Sequence, residues 1–387
     1  MIQDIRSRVE FMIGEYRACT VIGDARLSEE VDYVSFTGDF GFSGWSPTNE
    51  VIENHLAHES SLLSMFQLNV INLEYMLRGF SGSQLDKRID QLMVNILEKA
   101  GYGLIARANN HALDHGVDGV SYNTAQLVKT GLSMVGIRDF PVYEYDAKGK
   151  RVAIFSLTDD TDQENQKTPI LGMNESDLAL IQRQITGAHF RIAFVHLGSM
   201  SSFPSAHERK QVDRLIDIGA DLVVCTGSHF IKGVVKRRGK PVAYGIGNHI
   251  FSFVDSDTEP IGMHLVAGFN AHQLTQLFVV PFRNTIREGK TGPLDEASFG
   301  AFKQILLERS IEDSDKYFSD PRSLRNFIEY LRDFRFSKVK EIKIRHVAYA
   351  MRILIYHYPV MALLGVLLAL VISVITLHWT SLIFNHV

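Results

Sequence analysis

The sequence holds two cysteines in 387 residues, Cys19 and Cys225, and neither belongs to a C-x-x-C pair. That excludes a disulfide framework and a thiolate zinc site. Prolines are few, and there is no internal repeat and no low-complexity stretch. No sign of charge predominates: 40 Lys and Arg stand against 44 Asp and Glu, a formal net charge of −4. Nothing in that balance calls for a nucleic-acid partner. The first thirty residues lack a continuous apolar run, because Asp4, Arg6, Arg8, Glu10, Glu15 and Arg17 interrupt it. A cleaved secretory signal is therefore not expected. What remains is a globular composition, 45% apolar and 22% charged, long enough for one large domain or two ordinary ones.

One segment departs from that composition. Residues 359–377 (PVMALLGVLLALVISVITL) carry no charge, and no Lys, Arg, Asp or Glu follows them. At the helical rise this run is roughly 28 Å long, enough to cross the hydrocarbon core. It shows no polar face, unlike a long helix on a globular domain. Lys338, Lys340, Lys343, Arg345 and Arg352 precede it and nothing basic follows. The positive-inside rule then predicts a single-pass membrane protein with its large N-terminal part in the cytoplasm.

Before that segment, short apolar runs alternate with helical patterns. Strands are expected at 31–37, 68–73, 102–106, 132–135, 142–145, 151–157, 191–195, 221–225, 241–246 and 274–282. Helices are expected at 48–66, 85–100, 117–130, 177–186 and 205–218. The alternation indicates an α/β domain with a largely parallel sheet. Residues 1–30 read as a helix and loop on the domain's edge. The main domain covers 31–290, and 291–352 reads as a charged helical stalk or cap leading to the membrane.

Chemistry-bearing residues gather just past the strands. Asp39, Glu74, Asn110 with His111, His196 and His229 each follow an apolar run, as do Asp159 and Asp160. In a parallel sheet those ends share one rim, where open α/β sheets build sites. Each residue alone also fits a plain role, as turn, cap or buried histidine. Repetition on successive strand ends favours a site. Two acids, an amide and several imidazoles suit a pair of divalent cations about 3.5–4 Å apart, the arrangement that turns water on a phosphate ester. Glu74 would bridge them. Asp114, His115, His249, Asp159 and Asp160 read as supporting or turn residues.

FTGDF (36–40), INLE (71–74), ANNHALDHG (108–116), FVHLG (194–198) and the block from 220 to 251 resemble the CapA-type capsule-synthesis proteins. Those are linked to poly-γ-glutamate production and belong to the calcineurin-like metallophosphatase superfamily. The resemblance spans residues 31–285. It implies a four-layer sandwich of two facing mixed β-sheets with flanking helices, in place of one open sheet. It implies divalent metal ions (Mn, Fe, Zn or Mg), with Asp39, Glu74, Asn110, His196 and His229 as ligands and His111 as general acid. Two motifs depart from the family's pattern. Its HPH reads Gly227-Ser228-His229, and the acid of its HWGxE is replaced by Met200. Two readings follow: a membrane-anchored metal-dependent phosphoesterase (a hydrolase) of capsule or exopolymer biosynthesis, or a non-hydrolytic assembly or polymer-handling subunit. Other membrane-bound polymer-synthesis subunits are the expected partners.

Overall fold

The computed structural model describes residues 10–310, apart from 25, 42–55, 58, 75–94, 115, 160–167, 199–200, 252–260, 271–272 and 286–289. The expected membrane span at 359–377 and most of the expected stalk lie outside the described residues. Among the described residues, no helix is long and apolar enough to cross a membrane.

Two mixed sheets make up the fold. One runs β1 (Glu10–Ile13), β2 (Tyr16–Ile22), β15 (Leu274–Thr285), β14 (Ile261–Phe269), β3 (Asp32–Gly41), β4 (Leu68–Leu73), β5 (Leu104–Ala106) and β6 (Ser133–Val135). In that sheet β13 (Asn248–Phe251) also pairs with β3, and β16 (Lys290–Pro293) with β15. The other runs β11 (Ile231–Arg237), β12 (Lys240–Ile246), β10 (Leu222–Thr226), β9 (Phe190–His196), β8 (Lys150–Phe155) and β7 (Val142–Ala147). Each sheet has a parallel run, β3-β4-β5-β6 reaching the edge of the first and β8-β9-β10-β12 at the centre of the second, with antiparallel strands beside it.

The side-chain period of two explains why these strands stack in layers. Val34, Phe36, Val70 and Leu104 point into one core with Ile154, Ile192, Phe194 and Val224 of the other sheet. The rings of Phe36 and Phe194 meet there with centroids 5.4 Å apart. The alternate residues Ile71 and Ile105 face outward, under the helical turns at 59–63 and 95–100 and α1 (Gly116–Leu127). Phe155, Val195 and Val223 face the opposite way, under α2 (Glu175–Gln184) and α3 (Ala206–Asp217). Strands buried on both faces read as continuous apolar runs, which is how most of the central ones announced themselves.

Several elements differ from expectation. Residues 10–22 form the hairpin β1–β2 rather than a helix and loop, and β2 pairs with β15. Tyr16 and Ala18 face one core while Cys19 and Val21 face the other. The expected stalk begins inside the domain. Its first helix, α4 (Glu296–Arg309), buries Phe299, Phe302 and Leu306 in the core between the sheets. Strands β11, β13, β14 and β16 were not expected. In β11, Lys232 is fully buried and paired with Glu208 of α3, so its charge hides a strand that a long-range partner stabilises.

Candidate functional site

The parallel runs of the two sheets end on the same side of the molecule, and the ends carry the site. Asp39 lies near the end of β3, Glu74 follows β4, and Asn109 to His111 follow β5. From the facing sheet, His196 closes β9 and His229 follows β10. Register sharpens this placement. Asp39 stands opposite Asn72 of β4 on one side and opposite Asn248 of β13 on the other.

Asp39, Glu74 and His229 each offer a ligand atom, all within 4.8 Å of one another. His196 lines the same space, with Nδ1 3.7 Å from Asp39 Oδ1 and Nε2 3.9 Å from Glu74 Oε1. His111 Nε2 lies 3.8 Å from Glu74 Oε1, while its Nδ1 is held by Asp114 Oδ2 at 2.8 Å. Asn110 sits between Asn109 and His111, its Oδ1 buried without a hydrogen-bond partner. Thus five of the six expected residues converge by measured contact, and the sixth, Asn110, directly precedes His111 in the chain. Of the remaining acids and histidines, Asp159 bonds His207 and Gln211, and His249 bonds Glu59. His115, Asp160 and Met200 lie outside the described residues.

The two carboxylates are held in opposite ways. Asp39 accepts from Asn72 Nδ2 at 2.8 Å and from the Gly227 N–H at 2.9 Å. Its burial would raise its pKa. The His229 hydrogen bond, the His196 and His229 charges and the Asn72 hydrogen bond outweigh that and take it down to about 2. Glu74 is buried, and neither of its oxygens has a hydrogen-bond partner. Burial first, then the charge of Asp39, pushes its carboxyl up to about 8. Burial disfavours a charged His229, but Glu74 and Asp39 hold its pKa up at about 9. Burial outweighs Asp39 at His196 and takes it down to about 4. Burial would also lower His111, yet Asp114 and Glu74 raise it above its ordinary value. A buried carboxylate with unanswered lone pairs beside a second carboxylate is costly unless a cation or proton answers it. The donor set of carboxylate, imidazole and amide oxygen suits a borderline or hard divalent cation.

Gly227, the departure noted in the sequence, has a structural reason. Its φ is +87°, and a Cβ there would lie 2.8–2.9 Å from three ring atoms of His196. The position therefore contributes a backbone N–H to Asp39 and has no room for a side chain. His229, two residues on, also takes a left-handed φ of +60°, a conformation uncommon outside glycine.

Sequence reasoning missed three amide partners. Asn72 bonds Asp39, Asn109 bonds Asn72 Oδ1 and the Leu73 carbonyl, and Asn248 Oδ1 lies 2.8 Å from His229 Nδ1. The available signal was an asparagine in a largely apolar strand, directly before Leu73 and Glu74. Behind the site lies a second polar group. Glu59 lies between His249 and His264, and Thr37 and Tyr102 complete it.

Residues 18–252 match the model of a family described as bacterial capsule synthesis protein PGA_cap. The chain belongs to that family. The matched span runs from β2 to just past β13 and holds every site residue named above. The chain is similar to the PGA biosynthesis protein CapA of Bacillus subtilis (strain 168), 26% identical over 186 residues. That alignment covers 43% of this chain and 48% of the relative, so the chain spans about half the length of the curated relative it matches. Among solved structures, "GAP50 the anchor in the inner membrane complex of Plasmodium" superposes with a TM-score of 0.40 at 13% identity, covering 75% of this chain and 99% of that one. A likeness that low bears no weight.

Proposed function

We propose that this PGA_cap-family chain is a metal-dependent phosphoesterase acting in capsule or exopolymer biosynthesis of the poly-γ-glutamate type, on a metallophosphatase-like four-layer sandwich. The observation that carries the reading is Glu74. It is a buried carboxylate without a hydrogen-bond partner, with Asp39 and His229 in ligand reach. Those three, with the open Oδ1 of Asn110, would hold a divalent cation. When bound, such a cation supplies Lewis-acid polarisation of a phosphoryl oxygen. The chain's own residues supply the rest. His111 is partly exposed and oriented by Asp114, so its Nε2 side can give a proton to a leaving oxygen. Asn72 and Gly227 fix the Asp39 carboxylate so that it need not reorganise.

The test uses the full-length chain in detergent. Metal content is measured by mass spectrometry, and turnover of an aryl phosphate is followed with added Mn²⁺. Asp39→Ala should abolish turnover and lower the bound metal, and His111→Ala should cut turnover while metal stays bound. Turnover surviving both substitutions would overturn the reading.

One observation favours a second reading, a non-hydrolytic assembly or polymer-handling subunit. Both oxygens of Asp39 are already engaged by Asn72 and Gly227. Absence of bound metal in the purified chain supports that alternative. For either reading, residues 359–377 are the proposed membrane anchor, with the large domain cytoplasmic. A C-terminal tag removed by protease from intact cells, with the domain spared, supports that orientation; the converse reverses it.

A further inference from the structure

The hydrogen-bond network around His196 fixes more than its position. Asn109 Nδ2 donates to the Leu73 carbonyl at 2.8 Å and to Asn72 Oδ1 at 3.2 Å. A backbone carbonyl can only accept, so Asn109 presents its NH₂, and Asn72 must turn its oxygen toward it. The NH₂ of Asn72 then faces the other way. One of its hydrogens goes to Asp39 Oδ1 at 2.8 Å, and the other points at His196 Nδ1, 3.2 Å away. The Thr226 hydroxyl stands 3.3 Å from the same nitrogen and can donate as well. A ring nitrogen facing an NH₂ group must be the acceptor, so the proton of the neutral ring sits on Nε2.

His229 is held the opposite way. Its Nδ1 lies 2.8 Å from Asn248 Oδ1 and 3.4 Å from Asp39 Oδ2. A carboxylate oxygen can only accept, so Nδ1 of His229 carries a proton. Two histidines at the ends of neighbouring strands of one sheet are thus held oppositely, Nδ1 accepting in His196 and donating in His229. Each nitrogen of His196 also faces a different carboxylate, and Asp39, Glu74 and His229 form a ligand set without it.

We infer that His196 is a hydrogen-bond donor, presenting Nε2–H beside Glu74, rather than a cation ligand, and that Asn72 is the positioning residue that keeps it so. The tautomer stands on the hydrogen bonds alone. What the N–H addresses rests on the phosphoesterase reading: a phosphoryl oxygen, which accepts only, is the matching group on a substrate or product.

The experiment is imidazole NMR on the full-length chain in detergent, labelled with ¹⁵N at histidine. His196 and His229 are assigned by the loss of their signals in His196→Gln and His229→Gln. In the wild type, His196 should show an unprotonated Nδ1 and a proton-bearing Nε2, and His229 a proton-bearing Nδ1. Asn72→Asp replaces the donor with an acceptor and should move the His196 proton to Nδ1, whereas Thr226→Val should leave it on Nε2. Added Zn²⁺ should shift His229 and leave the His196 Nε2–H in place. A protonated Nδ1 at His196 in the wild type, an unchanged tautomer in folded Asn72→Asp, or loss of Nε2–H on zinc addition would each overturn the inference. Should Asn72→Asp fail to fold, the wild-type spectrum still decides. A wild-type spectrum as expected but with no response of His229 to zinc sinks the cation reading and leaves the tautomer assignment intact.

Discussion

Gly38 lies so close to Gly247 that a Cβ on Gly38 would come 1.9 Å from the Gly247 carbonyl oxygen. The contact lets β13 approach β3, and the next residue on each strand is a polar one, Asp39 facing Asn248. Both partners are backbone, so neither can yield cheaply. Gly38→Ala is expected to cost at least about 3 kcal/mol or to prevent folding. Gly300→Ala is the control, on an exposed face of α4 with nothing within 4 Å of a new Cβ. It should be stabilising by about 0.5–1 kcal/mol. Denaturant unfolding of both variants checks the pair.

Restoring a histidine at the departing position should fail. Gly227→His, and even Gly227→Ala, drives a Cβ into the His196 ring from a left-handed backbone. Both variants should lose about 1–3 kcal/mol, and neither should gain metal affinity. Calorimetric titration with Mn²⁺ beside thermal unfolding separates the two effects. A tighter site in Gly227→His would contradict the geometry.

His111 and Asp114 should contribute unequally to turnover. Loss of a proton donor costs typically about 10²–10⁴ in rate, the range expected for His111→Ala. Asp114→Asn keeps a hydrogen-bonding group beside Nδ1 and should fall short of that loss. Steady-state kinetics on one aryl phosphate would rank them, and equal losses would mean that Asp114 does more than orient the ring.

Glu59 should mark the acid limb of stability. Burial opposes its charge, but His249 and His264 hold its carboxyl well below the ordinary value. A group depressed in the folded state contributes stability above the ordinary carboxylate range, and that contribution is lost as pH falls through the folded value. Glu59→Gln should therefore be destabilised by roughly 3–5 kcal/mol at neutral pH, the cost of breaking a buried pair. Its deficit against the wild type should shrink as pH falls below about 4. Urea midpoints measured at several pH values read this out.

The buried Lys232–Glu208 pair gives a double-mutant test. Lys232→Met alone leaves a buried carboxylate uncompensated and should cost about 3–5 kcal/mol. Adding Glu208→Leu should recover most of it, less the share lost from the Ser205 capping box that Glu208 completes.

The sequence was legible where one rule dominates. β4 and β12 are apolar runs buried on both faces, and each was expected within a residue or so of where it lies. α3 was signalled by Pro204 before it and Gly219 after it. Strands that answer to distant partners were not legible. β14 carries His264 and two glycines, which make sense only against Glu59 and the neighbouring strands. β1 and β2 mix charged and apolar residues because they border the sheet's edge. At the site, the acids and histidines stood out by type and position at strand ends. Asn72 and Asn248 did not, because an amide's value lies in which group it faces, and that is a matter of register between strands far apart in the chain.

The end of α4 carries a mechanical consequence. Arg309 donates to the Ile231 carbonyl, and the Val234 N–H donates to the Ser310 hydroxyl, so the helix is clamped to β11 at its last turn. β11 begins two residues after His229. A pull on the chain beyond Ser310 therefore enters the protein through the clamp at Arg309 and Ser310, as a load on the edge strand that follows His229.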